Sequence, residues 1–235
     1  MKYIEKKFDI PALEGISPRT VEEHLKLYAG YVKHTNLILE KISELPADAT
    51  PETLYQASEL RRRLGFEFDG MRNHEYYFEQ FECGFKKTEG TALEHKMIEQ
   101  WGSTEKWIAE FKQLAMTRGI GWAILYKDDI TGNLINAWIS EQHGGHLVGL
   151  TPILMLDMWE HSYMLDVPPS EKKQLIRVPP VMRLNPIPKA PPIKTSPTVV
   201  NVEVEKSSTT PTTTPILAKV ISPPRRRANI ALKLS

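Results

Sequence analysis

The chain changes character at the Val167–Pro168 junction, and the part before it is the part equipped to fold around a core. All seven His, all five Trp, every Tyr and Phe and the single cysteine, Cys83, precede residue 168, whereas 13 of the 18 Pro follow it. A Pro-rich segment without aromatic side chains to anchor a core buries too little surface to offset the entropy of ordering its backbone. Charge divides at the same point. Residues 1–167 hold 18 Lys+Arg against 26 Asp+Glu, and residues 168–235 hold 12 against 3. The whole-chain charge of +1 therefore joins an acidic body, at −8, to a basic tail, at +9. Pro-rich runs, the Ser207–Pro215 stretch and Arg225-Arg226-Arg227 give the expectation of disorder over 168–235.

The first 167 residues are enough to bury a core. Cys83, being alone, forms no internal disulfide, which suits a reducing compartment. The charged start, Met1 to Lys7, lacks a secretory apolar region, and no apolar run nears the ~20 residues of a bilayer span. The expectation is a soluble, cytoplasmic protein without a membrane partner. A short arginine run on a tail without aromatic residues, attached to an acidic body, argues against a nucleic-acid partner.

Ser17-Pro18 has the chemistry of a helix start. Val21, His24, Leu25, Tyr28, Tyr31, Val32, Thr35, Leu39 and Ile42 then recur at helical spacing, with a stop at Pro46. Residues 51–64 read as a second helix with a basic face, and Met71 to Phe81 as a separate aromatic segment. Two further helices are expected at about 91–101 and 103–117. Gly121–Tyr126 and Leu134–Ile139, with turn residues Asp129–Asn133 between them, predict a hairpin. A Gly-rich loop from Gln142 to Gly149 leads to a short apolar strand, Pro152–Leu156, that delivers Asp157. Helices followed by a small antiparallel sheet give an α+β fold class.

His24 and Tyr31 are seven residues apart, hence on one helix face. His74 lies in an aromatic helical segment, and Asp157 and His161 flank Met158-Trp159-Glu160 just after the last strand. Three imidazoles and one carboxylate suit Fe, Mn or Zn. Spacing alone leaves open whether they converge.

Asp157-Met158-Trp159-Glu160-His161-Ser162-Tyr163 resembles the Asp-x-Trp-Glu-His-Ala-Tyr signature of iron/manganese superoxide dismutases. Other segments resemble that family in the family's order: Thr20-Val21-Glu22-Glu23-His24 with Gly30-Tyr31-Val32, Asn73-His74-Glu75-Tyr76-Tyr77-Phe78, and Gly119-Ile120-Gly121-Trp122. Phe8 to Leu13 is similar to the family's opening. The resemblance spans about residues 8–167. It implies an N-terminal antiparallel helical hairpin domain over 1–83 and a domain with a three-stranded antiparallel sheet and flanking helices over 84–167. It implies metal ligands at His24, His74, Asp157 and His161, holding one mononuclear Fe or Mn ion that redox-cycles to turn superoxide into oxygen and hydrogen peroxide. Tyr31 would line the substrate path. Gln142 would place its amide toward the ion, with His143 as competitor if the loop register slips and His146 as a supporting or structural residue. A Gln at 142 with Gly at 70 leans toward the manganese-type arrangement. Trp122 and Trp159 would wall the site. Glu160 and Tyr163 would reach across an interface in a homodimer or dimer of dimers. His34 and His95 read as surface residues. The alternative is a non-catalytic dimeric metal-binding or interaction protein with the same fold.

The chain departs from the family pattern at two places. His24 and Tyr31 are one residue closer than in many members. After Leu165-Asp166-Val167 the family's closing helix, rich in Trp and Asn, is replaced by Pro168-Pro169 and a segment without Trp, in which Glu171–Ile176 has room for one or two helical turns.

Overall fold

The computed structural model describes residues 2–46, 48–82 and 89–174. Cys83 and the tail from residue 175 lie outside that range, so the expectations for that thiol and for tail disorder fall there too.

Ser17 opens α1 (Pro18–Ser43) with an extended backbone and a hydroxyl that accepts from the Thr20 amide. Asp166 closes the same helix end from far along the chain. Its Oδ2 accepts from the Ser17 amide at 2.7 Å and from the Thr20 hydroxyl at 2.6 Å. A carboxylate at this position also complements the positive end of the helix dipole. Helix α1 ends three residues before Pro46.

The segments expected as two helices, 51–64 and 71–81, are one helix, α2 (Pro51–Glu79). Gly65 and Gly70 lie inside it, and each costs only about 1 kcal/mol relative to Ala, which packing against α1 overrides. At Gly70 that packing demands the missing side chain, because a Cβ would stand 2.5 Å from Cδ1 of Tyr31. The chain before α1 is strapped across the hairpin. The backbone of Tyr3 exchanges hydrogen bonds with Asn36 at 2.7 and 2.9 Å, and Lys6 reaches Glu79 at 2.6 Å. Buried Glu75 accepts from Arg72 and from the Tyr28 hydroxyl, so its charge is paired.

Helices α3 (Ala92–Trp101) and α4 (Thr104–Ala115) follow, each with a Thr or Ser cap. Strands β1 (Gly121–Asp128), β2 (Leu134–Ser140) and β3 (Leu150–Asp157) form an antiparallel sheet in the order β2-β1-β3. Alternation along β1 assigns its residues to two cores. Ala123 and Leu125 join Trp107, Phe111 and Met97. Trp122, Ile124 and Tyr126 join Tyr28, Met71 and Phe78 on the hairpin side. Beyond β3 the chain makes a 3-10 turn at Glu160–Ser162 and another at Pro169–Gln174. None of the described helices is long and apolar enough to cross a membrane.

Candidate metal centre

His24 lies on the buried stripe of α1 that continues through Tyr28, Val32 and Thr35. His74 lies on the buried face of α2 next to Met71 and Phe78. Asp157 is the last residue of β3, two beyond Met155, so the pleat turns it to the hairpin side opposite Trp122. His161 is brought back by the turn after β3. The Trp159 amide donates to Asp157 Oδ1 at 2.8 Å, and the Ser162 hydroxyl donates to the carbonyls of Asp157 and Trp159 at 3.0 and 2.8 Å. The ligand atoms of these four side chains all lie within 4.8 Å of one another.

Asp157 Oδ2 is 3.1 Å from Nε2 of His24, 3.3 Å from Nε2 of His161 and 3.8 Å from Nε2 of His74. The ring of His74 reveals what such a cluster requires. Its Nδ1 is 2.6 Å from the Gly70 carbonyl, which can only accept, so Nδ1 carries the proton. Burial, reinforced by the neighbouring His24 charge, pushes the His74 pKa down to about 3, so the ring is neutral near pH 7. Its Nε2 is then a buried lone pair without a hydrogen-bond partner, facing a carboxylate oxygen. Nε2 of His24 is likewise buried without a hydrogen bond, and burial lowers that ring's pKa. Burial disfavours the Asp157 anion, yet the contact with His161 and the closeness of His24 hold its pKa well below the usual carboxylate range. Two electron-rich atoms facing each other in a dry interior are costly. A bound cation turns that repulsion into coordination, and three imidazoles with one carboxylate fit Fe, Mn or Zn.

Tyr31 stands beside this cluster, and Gln142 beside Tyr31. The Tyr31 ring is tilted against His74 with centroids 5.0 Å apart, although it follows His24 by seven residues in an unbroken α-helix. Gln142 is fully buried. Its Nε2 donates to the Tyr31 hydroxyl at 3.0 Å, and its Oε1 accepts from Trp122 Nε1 at 3.0 Å. His143, by contrast, is exposed, its ring edge-on to Phe66. Gly70 offers no room for a competing side chain. Burial and the Asp157 and Glu67 charges push the Tyr31 pKa up to about 12, so it keeps its proton near neutrality. Trp159 stacks on His161 with centroids 5.7 Å apart. Glu160 is exposed, Tyr163 is buried, and His34 and His95 are exposed.

Three contributors lacked an assigned role in the sequence. They are the Gly70 carbonyl that sets the His74 tautomer, the Ser162 hydroxyl that shapes the turn, and Asn73, whose amide donates to the Gln142 carbonyl at 2.9 Å. Asn73 had a signal, adjacency to His74 within a family-like motif; a backbone carbonyl has none.

Residues 88–177 match the family described as iron/manganese superoxide dismutases, C-terminal domain. The superoxide dismutase [Fe] of Cupriavidus metallidurans is 35% identical over 157 residues, covering 66% of this chain and 77% of that protein. The superoxide dismutase [Fe] of Aquifex pyrophilus is 34% identical, covering 66% of this chain and 74% of its own length. The superoxide dismutase [Mn] of Mycolicibacterium smegmatis is 29% identical, covering 67% and 76%. Relatives of both metal types thus share most of their length with this chain. Ligand cluster, sheet order and sequence likeness agree, and the chain belongs to the iron/manganese superoxide dismutase family.

Proposed function

We propose that this chain is a superoxide dismutase that holds one iron or manganese ion between His24, His74, Asp157 and His161. The observation that carries the reading is the buried Nε2 lone pair of His74 set against the Asp157 carboxylate, an arrangement that a cation stabilises. Such an ion, alternating between +3 and +2 states, supplies the one-electron chemistry by which one superoxide becomes oxygen and a second, with two protons, becomes hydrogen peroxide. The protein's own groups do the rest. Trp122 and the ring of Trp159 exclude water around the ligands. Tyr31 accepts from the Gln142 amide, so its own O–H remains available to donate toward a small anion in the site. Its raised pKa keeps that proton in place.

The Gln142–Tyr31 pair supports the manganese-type placement of the glutamine. Exposed Glu160, on the same turn as His161, supports a homodimer or dimer of dimers in which Glu160 reaches a second copy, whereas Tyr163 is buried within its own chain. We place the enzyme in the cytoplasm. The test is a superoxide disproportionation assay on the purified full-length chain beside His161→Ala. Turnover that tracks bound metal and vanishes in the variant supports the enzyme. A chain that binds metal without turnover is instead the non-catalytic alternative.

A further inference from the structure

Gln142 is held between Tyr31 and Trp122, whose rings both touch His74, and the backbone around it takes an uncommon path. Glu141 has φ 51°, the one positive value at a non-glycine position among the described residues. A side-chain-bearing residue persists in that region when its surroundings over-determine it. Ser140 and Gly144 close the turn with paired backbone bonds of 2.8 and 2.9 Å, and Gly145, at φ 103°, sends the chain back. The return places the His146 ring nitrogen Nε2 at 3.1 Å from the Gln142 carbonyl, which also accepts from Asn73. A carbonyl cannot donate, so Nε2 of His146 carries the proton. In the neutral ring Nδ1 then accepts from the Tyr126 hydroxyl, 2.7 Å away. Tyr126 and Trp122 lie on the same face of β1. One strand therefore holds Gln142 twice: Trp122 grips its side chain directly, and Tyr126 grips its backbone through His146.

We propose that His146, oriented by Tyr126, is a positioning residue that sets where the Gln142 amide stands relative to the four ligands and thereby tunes the reduction potential of the bound ion. The inference rests on the reading that Gln142 faces that ion. An amide dipole close to a metal alters its potential by its position, so a group that fixes the position shares in the tuning.

The test uses the full-length chain loaded with manganese and compares midpoint potentials of the unaltered protein, Gln142→Ala, His146→Leu, His146→Gln and the double variant Gln142→Ala/His146→Leu. Gln142→Ala gives the largest shift. His146→Leu changes the oxidised-to-reduced ratio on the order of tenfold, about 59 mV for one electron. His146→Gln, which retains an N–H donor, restores part of it. In the Gln142→Ala background His146→Leu adds nothing, because there is no amide left to position. Equal His146→Leu shifts with and without the Gln142 side chain, or no shift at all, overturn the brace. If Gln142→Ala leaves the potential unchanged, the reading of Gln142 itself fails and the brace goes with it. Should His146→Leu not fold, Tyr126→Phe removes a single hydroxyl. It is expected to shift the potential in the same sense by less and to move the Trp122 indole N–H resonance; an unchanged potential and resonance overturn the proposal.

Discussion

The two faces of one sheet are built for different tasks. Toward α3 and α4, Ala123 and Leu125 meet Met97, Trp107, Phe111 and Leu154 in a core whose buried members are all apolar. Toward α1 and α2, Trp122, Ile124 and Tyr126 meet aromatic rings, and among those rings sit buried His24, His74, Gln142 and Asp157. The first face gains from area removed from water. The second gives up part of that gain to hold polar groups, among them the Nε2 atoms of His24 and His74, which have no hydrogen-bond partner. A shared strand, β1, lets the stable face steady the reactive one, because its alternate residues belong to opposite cores.

Substitutions on the two faces should therefore separate metal affinity from stability. The largest effect is expected from Asp157→Ala, which removes the carboxylate that approaches all three imidazoles. Metal affinity should fall by more than the roughly 10–100-fold that changes around the ligands cost, while cooperative unfolding persists. Elemental analysis and calorimetry of the same sample check both halves. On the opposite face, Trp107→Ala removes a fully buried ring that donates to Asn136 and should cost about 3–5 kcal/mol in denaturant titration. The folded fraction should still bind metal at the original stoichiometry. A large loss of stoichiometry there would mean that the two faces are not separable.

Gly70→Ala probes the hairpin side. Its Cβ would collide with the Tyr31 ring, so a loss of about 1–3 kcal/mol is expected together with displacement of Tyr31 from Gln142. Gly30→Ala has open space around the new Cβ and should be neutral or stabilising by up to about 1 kcal/mol. Paired thermal melts of these variants decide the matter. The smallest effect belongs to Asp166, the carboxylate that closes α1. Partial burial opposes its charge, but the Thr20 and Ser17 hydrogen bonds prevail and lower its pKa. A depressed carboxylate adds stability above its unfolded pKa of about 3.9 and loses it as pH falls through the lower folded value. The difference in denaturation midpoint between wild type and Asp166→Asn should therefore be flat near neutrality and shrink below about pH 4.

Much of this architecture was legible because regular elements announce themselves. The α1 stripe, the Ser17 cap and the β1–β2 hairpin each follow from local periodicity and turn chemistry. The continuity of α2 was not legible: residues 51–64 and 71–81 read as separate segments, and the packing reason for Gly70 between them is a ring on another helix. Periodicity put His24 on a face but could not say what it faces. Family-like motifs singled out the four ligand candidates, and their convergence needed coordinates. The surroundings of Gln142 were least legible. They depend on a left-handed Glu141, a carbonyl with two donors and a His146–Tyr126 contact, and no periodicity encodes these. The closing role of Asp166 was hidden too, since it pairs residues at opposite ends of the body.

Diffraction from crystals of the full-length protein, recorded on either side of the manganese and iron absorption edges, locates a bound ion directly. One anomalous peak per chain is expected, within bonding reach of Nε2 of His24, His74 and His161 and of a carboxylate oxygen of Asp157. A metal-replete crystal with that position vacant, or with its peak on other side chains, would contradict the assignment.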